Sequence, residues 1–357
     1  MPSKLETILP KFKSTQLKQL AFLCGAKTSG RKSELVERLT ALSDANSSES
    51  SESRGQPLVL SIDMGIRNLG YSLLAPAASP PSSRLLSSRA LTVDDLRRPP
   101  PIHLHAWQRR ELLEPSLDKP DDPERYSPAS LAIAADRLVR RDLLPLKPTH
   151  VLIERQRWRS GGAAAVQEWT LRVNTLEAML HASLRTLREL GHWNGEIMSV
   201  GPDRVTRFWP AAPSTGSAAD TPKVKGSRSS KGVVGKARKE SKSQNSKKHK
   251  IGVLTSWLAE ERGNKIILPA NRDTEDAVKQ YRRKLVRTRR SSAADEDLVR
   301  DAGPKKLDDL TDSLLQGVAW LKWEENKALL LREDGITQLL DSDLLDTQEA
   351  STILDDV

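Results

Sequence analysis

Three apolar runs in this chain end in, or lead away from, carboxylates. Asp63 closes Leu58-Val59-Leu60-Ser61-Ile62, and Glu154 closes Val151-Leu152-Ile153. Asp308, Asp309 and Asp312 stand at the front of Leu314-Leu315-Gln316-Gly317-Val318-Ala319-Trp320. An ionised carboxylate at the end of a buried element is costly unless it is paired or binds a metal. On a helix, Asp309 and Asp312 are i, i+3, and Asp308 and Asp312 are i, i+4, so either pair shares a face. Hard oxygen donors without clustered His favour Mg²⁺ or Mn²⁺ over zinc. Each acid also has an ordinary reading. Asp63 can cap a turn, Glu154 can pair with Arg155 or Arg157, and Asp308 and Asp309 can favour a helix N-terminus. Taken singly, those readings suffice; taken together on a basic chain, the acids point to a divalent-metal site that works on nucleic acid.

The charge background is an excess of 57 Lys and Arg over 47 Asp and Glu, a net +10, which favours a polyanion partner. A single cysteine, Cys24, excludes disulfides within the chain and thiolate zinc sites. No apolar run approaches the ~18–20 residues of a membrane span, so no membrane partner is expected. The first twenty residues are basic and poor in acids but lack Arg, and they read as structure rather than as a transit peptide.

Residues 1–42 carry two helical stripes, Leu17, Leu20, Ala21, Leu23 and then Leu35, Val36, Leu39, with Gly25 and Gly30 between. With Gly30-Arg31-Lys32 ahead of the second stripe, the pattern resembles a SAP motif, a helical module that binds DNA backbone. Arg31 and Lys32 are its candidate phosphate contacts. Residues 43–56 form a polar linker with nothing to bury, so the module should be removable with loss of binding but not of chemistry. The main domain occupies 57–332. Strands are expected at 58–65, 69–74, 102–112, 150–154 and 196–200, and helices at 131–144, 169–184, 251–261 and 307–331. Residues 75–101 read as an insertion. Residues 211–250 form a Lys-rich, apolar-poor insertion, and 279–290 is a second basic cluster. Residues 333–357 form an acidic tail without a basic residue, which can fold back on the basic surface or stay solvated, the second being the expectation.

Hairpin strands first, an acid in the first, an acid ending a later strand and acids on the last helix give the order of the ribonuclease-H-like fold. The expectation is an α/β protein, a mixed sheet flanked by helices. Its first strand would neighbour the fourth, so that Asp63 and Glu154 converge. Two ions about 4 Å apart would then activate water and stabilise the leaving oxygen of a phosphodiester.

Four blocks carry a family resemblance: Ile62-Asp63-Met64-Gly65-Ile66-Arg67-Asn68, Glu154-Arg155-Gln156-Arg157-Trp158-Arg159-Ser160-Gly161, Glu168-Trp169-Thr170-Leu171-Arg172-Val173-Asn174, and Asp308-Asp309-Leu310-Thr311-Asp312. The chain resembles the fungal mitochondrial Holliday-junction resolvases, RuvC-like endonucleases with a SAP-like N-terminal module. The resemblance implies a mitochondrial, Mg²⁺-dependent endodeoxyribonuclease that grips four-way DNA junctions as a homodimer, one nick per subunit. It implies metal held by Asp63, Glu154 and the last-helix pair, either Asp309 or Asp308 with Asp312. Arg155, Gln156, Arg157 and Arg159 would lie beside the scissile phosphate, and the helix from Trp169 to Leu184 would form the dimer element. The competing expectation is a catalytically inactive RNA-binding splicing factor of the same fold.

Overall fold

The computed structural model describes residues 4–47, 55–77, 96–113, 123–156, 166–209, 242–259, 265–291, 305–332 and 335–340. Three helices come first: α1 (Lys4–Ile8), α2 (Ser14–Leu23) and α3 (Lys32–Ser47). Then follow β1 (Val59–Asp63), β2 (Leu69–Pro76), β3 (Ile102–Arg110), α4 (Pro128–Arg137), β4 (His150–Glu154), α5 (Glu168–Glu189), β5 (Glu196–Val200) and α6 (Pro202–Phe208). The chain closes with α7 (Lys242–Ala259), β6 (Ile267–Pro269), α8 (Arg272–Ser291), α9 (Lys305–Leu330) and α10 (Gly335–Leu340). No helix among the described residues is long and apolar enough to cross a membrane.

The strands form one mixed sheet in the order β5-β4-β1-β2-β3-β6. β1 is central, antiparallel to β2 and parallel to β4, as the ribonuclease-H-like reading expects. Its side chains alternate between two covered faces, which is why the run reads as continuously apolar. Val59 faces the core built on α6, α7, α8 and α9, whereas Leu60 and Ile62 face the one built on α4 and α5. α9 lies flat on the first face because two glycines admit it. A Cβ on Gly317 would stand 2.4 Å from Leu74 Cδ1, and one on Gly70 would stand 2.2 Å from the Asp309 carbonyl oxygen. Side-chain bonds then fix the register of helix on sheet. Ser72 Oγ donates to the Ser313 carbonyl (3.0 Å), Trp107 Nε1 to that of Leu310 (2.9 Å), and Gln316 Nε2 to Ser61 Oγ (3.1 Å) and the Ile62 carbonyl (3.2 Å).

Several expected boundaries need correction. The N-terminal helices run to Ser47, so part of the polar linker is helical. These helices are also not loosely attached. Leu17, Leu20, Leu35 and Leu39 share an apolar cluster with Leu96, Leu329, Leu330, Ile336 and Leu339. Leu339, from the segment expected to be solvated, is fully buried there, because α10 turns its apolar side onto the module. The junction is sealed at Gly25, which ends α2 with φ +67° and lies under the Trp323 ring, closer than any side chain would permit. Asn326 Nδ2 donates to the Leu23 carbonyl (2.8 Å), and Arg204 Nη1 to that of Gly25 (2.7 Å). Within the basic insertion, helix begins at Lys242 rather than at Ile251. The remainder of the insertion, 211–241, and the tail beyond residue 340 lie outside the described residues, as do most of the 75–101 insertion and residues 157–165.

Candidate active site

Parallel pairing of β1 with β4 matches Ile62 with Ile153, so the next residues, Asp63 and Glu154, stand side by side at one end of the sheet. Alternation decides their direction. Ser61 on β1 and Leu152 on β4 face α9, and residues two further along face the same way. α9 brings Asp309 and Asp312 over this end, with the Asp309 backbone against Gly70, the β2 partner of Asp63. Four of the five candidate acids thus come together from three elements distant in sequence.

Their electrostatics reflect crowding. Burial, then the charge of Glu154 and a hydrogen bond shared with it, then Asp312 and Asp309, hold the Asp63 carboxyl well above its ordinary range. Burial also pushes Asp309 up to about 6, against the pull of Arg109. Asp312 reaches about 6 through burial as well, opposed by Lys250 and reinforced by Glu154. Asp309 Oδ2 is buried with no hydrogen-bond partner among the described residues. A group of carboxylates that raise one another's affinity for protons is also a group suited to a divalent cation, and every donor here is a hard oxygen.

Two lysines that sequence reasoning assigned to the insertion stand among these acids. Lys247 Nζ is 2.6 Å from Asp308 Oδ2, and Lys250 Nζ is 3.0 Å from Asp312 Oδ2. Burial disfavours the Lys250 charge, but Asp312, Glu154 and Asp63 outweigh it and hold the ammonium above its usual range. A cleft of about 10 Å³ remains, lined by Asp63, Glu154, Pro202, Val205, Lys250, Asp312 and Gln316. That is room for about one water-sized species. Among the described residues no three of the acids are already set as a cage around one ion. A signal for the lysines existed. Lys247 and Lys250 are four residues before Ile251 and Leu254, so the apolar phase of α7, run backwards, puts both on its inner face.

The other candidate residues divide. Gln156 donates from Nε2 to Glu154 Oε2 (3.1 Å) and from its backbone N–H to Glu177 Oε2 (3.0 Å), so it holds the Glu154 carboxylate in place. Arg155 is exposed at the end of β4, its N–H bonded to the Val200 carbonyl. Arg157 and Arg159 lie outside the described residues. Arg31 and Lys32 are exposed at the start of α3, in the N-terminal module rather than at the acids. Arg109, missed in the sequence, reaches Asn68 Oδ1 (2.8 Å) on the β1–β2 turn and acts on Asp309.

The chain is 30% identical over 197 residues to the mitochondrial cruciform cutting endonuclease 1 of Schizosaccharomyces pombe, covering 54% of this chain. That alignment spans 65% of the relative, just under two thirds of its length. Identity to the protein of the same name from Saccharomyces cerevisiae is 24% over 355 residues, covering 93% of this chain and 86% of the relative. A solved structure of the yeast mitochondrial Holliday junction resolvase Ydc2 aligns with TM-score 0.49 at 23% identity, covering 92% of this chain and 95% of that one. The family model described as mitochondrial resolvase Ydc2 / RNA splicing MRS1 matches residues 59–330, from the first residue of β1 to the last of α9, and the chain belongs to that family.

Proposed function

We propose that this chain is a structure-selective endonuclease that resolves four-way DNA junctions by paired nicks in mitochondrial DNA recombination. The observation that carries the reading is the convergence of Asp63, Glu154, Asp309 and Asp312 at one end of the sheet, on a chain of net charge +10. The names of both relatives, cruciform cutting endonuclease, and their mitochondrial assignment support it. The family's description also includes RNA splicing, but a purely RNA-binding role leaves four crowded carboxylates without a purpose.

In this reading Asp63, Glu154, Asp309 and Asp312 hold Mg²⁺ or Mn²⁺, which when bound supplies an activated water and stabilises the leaving oxygen. The chain's own residues do the remainder. Gln156 orients Glu154, and Gln316 ties α9 to β1. Asp308 is turned to Lys247 and braces the start of α9, so Asp309 is the better ligand. The exposed Arg155, with Arg157 and Arg159 following, approaches the phosphate from β4. Arg31 and Lys32, on the SAP-like module, grip the duplex backbone. Symmetric nicks call for a two-fold dimer, for which the exposed Trp169 and Leu171 of α5 offer an apolar surface.

The test compares a mobile four-way junction, a linear duplex and an RNA in Mg²⁺. Paired nicks confined to the junction are expected, with Asp63→Asn and Glu154→Gln reducing cleavage by about 10³-fold or more while still binding the junction. Wild-type-rate cleavage by either variant overturns the metal assignment. Tight RNA binding with no cleavage of any DNA transfers the chain to the splicing branch.

A further inference from the structure

The lysines of α7 raise a question that the metal reading does not answer. Three carboxylates, Asp63, Glu154 and Asp312, line a cleft of about 10 Å³, room for about one water-sized species, with Lys250 beside them. Ionised together and unpaired, these buried carboxylates would both lose hydration and repel one another. What relieves that repulsion is an ammonium brought in from outside the sheet. Lys250 reaches Asp312 at 3.0 Å with only 17% of its side chain exposed, and the charges of Glu154 and Asp63 act on it as well. Lys247, one turn earlier on the same helix, reaches Asp308 at 2.6 Å. The helix is anchored for this purpose: Val253, Leu254, Trp257 and Leu258 are buried against α9, and the Trp257 ring meets that of Trp209 edge-on at 4.7 Å.

Lysine suits a role in which the charge must later leave. Its ammonium is a compact point charge on a four-carbon stem, well hydrated once withdrawn, whereas the planar fork of Arg would lock onto a carboxylate through two bonds. The stem can swing without moving a helix whose other side chains are packed.

We infer that Lys250, flanked by Lys247, is a built-in counter-ion of the acid site: it stands in for the divalent cation in the metal-free chain and must release Asp312 when that cation binds. Metal loading is thereby coupled to α7. Lys250 is on this account a positioning residue. It keeps the acids gathered in a geometry that is neither dispersed by repulsion nor yet a cage, in keeping with the arrangement of the described residues. The inference rests on the metal reading of the site proposed above.

Two measurements on the intact 357-residue chain separate the counter-ion role from the metal reading. In EDTA, Lys250→Met should melt about 5–10 °C below wild type, Lys250→Arg close to it, and the Lys250→Met/Asp312→Asn double variant should recover part of the loss. In calorimetric Mg²⁺ titration at pH 8, Lys250→Met should bind about tenfold more tightly than wild type, since no tethered cation competes, and Lys250→Arg no more tightly. A purely structural lysine would lower the melting temperature and leave metal affinity alone, so unchanged affinity in Lys250→Met, against a wild type that does bind, overturns the counter-ion inference. A wild type that takes up no Mg²⁺ overturns the metal reading itself, and the displacement with it.

Discussion

A carboxylate whose proton affinity is raised by its neighbours leaves a signature in stability, and Asp309 is the cleanest place to read it. Its folded-state pKa of about 6 lies above the 3.8 of a free aspartate. The penalised form is the ionised one. The stability linked to this group is therefore full below pH 4 and is lost as pH rises through about 6. The shift is worth up to about 3 kcal/mol in the buried limit, and about 1–2 after discounting for the partly exposed side chain. Asp309→Asn should thus stabilise the metal-free chain by about 1–2 kcal/mol more at pH 7.5 than at pH 4. Urea denaturation in EDTA at the two pH values checks it, and an equal gain at both would remove Asp309 from the crowded cluster. The residue-level assignment was only half legible in the sequence. Helical spacing pairs Asp312 with Asp308 and with Asp309 alike, and what separates them is a third party, Lys247, whose position depends on tertiary packing.

At the level of elements, the strands were the most legible part. β1, β4 and β5 fall within or on their expected spans, because an apolar run that ends in an acid or a turn has few other ways to be buried. β6 was not legible: three residues ending in Pro269 make an edge strand only because β3 offers them an edge. The start of α7 was hidden by its own lysines, since a run of positive charge hides an amphipathic phase that only packing reveals. Gly317 is the seat of α9 on β1 and β2. Gly317→Ala should raise helix propensity by about 1 kcal/mol, yet its Cβ meets Leu74 at 2.4 Å and Ser61 at 3.1 Å. Leu74 can yield at its flexible end. Gly317→Val should not fit, and we expect it to cost about 1–3 kcal/mol and to lift α9 from the sheet. Asp309 and Asp312 move with the helix, so cleavage should fall by about 10²-fold or more while junction affinity, which draws on the basic surface, is kept. Thermal melting and single-turnover cleavage measured together check this. A Gly317→Val variant that melts lower but cleaves at wild-type rate would uncouple the helix seat from the site.

For the whole molecule, the N-terminal module poses the largest departure from what composition suggests. A polar linker led to the expectation of a detachable DNA grip, but attachment is set by the surface on which the module lands. Trp323, Leu329, Leu330, Ile336 and Leu339 are buried, the first against Gly25 and the others in the module's own apolar cluster. At about 2 kcal/mol for each large apolar side chain, uncovering the four in the module's cluster costs up to about 8 kcal/mol, within the range of a typical domain's entire stability. The C-terminal half of α9 is thus held by the module while its N-terminal half carries Asp309 and Asp312. Removing residues 1–47 should therefore lower the melting temperature sharply and abolish cleavage even at saturating junction, rather than merely weaken binding. Arg31→Ala with Lys32→Ala gives the complementary result. Both side chains are exposed, so melting should hold, while junction affinity falls and its dependence on log salt flattens by about one for each phosphate no longer neutralised. A truncated chain that folds as well as the full one and cleaves saturating junction at the full rate would return the module to the role of a tethered grip.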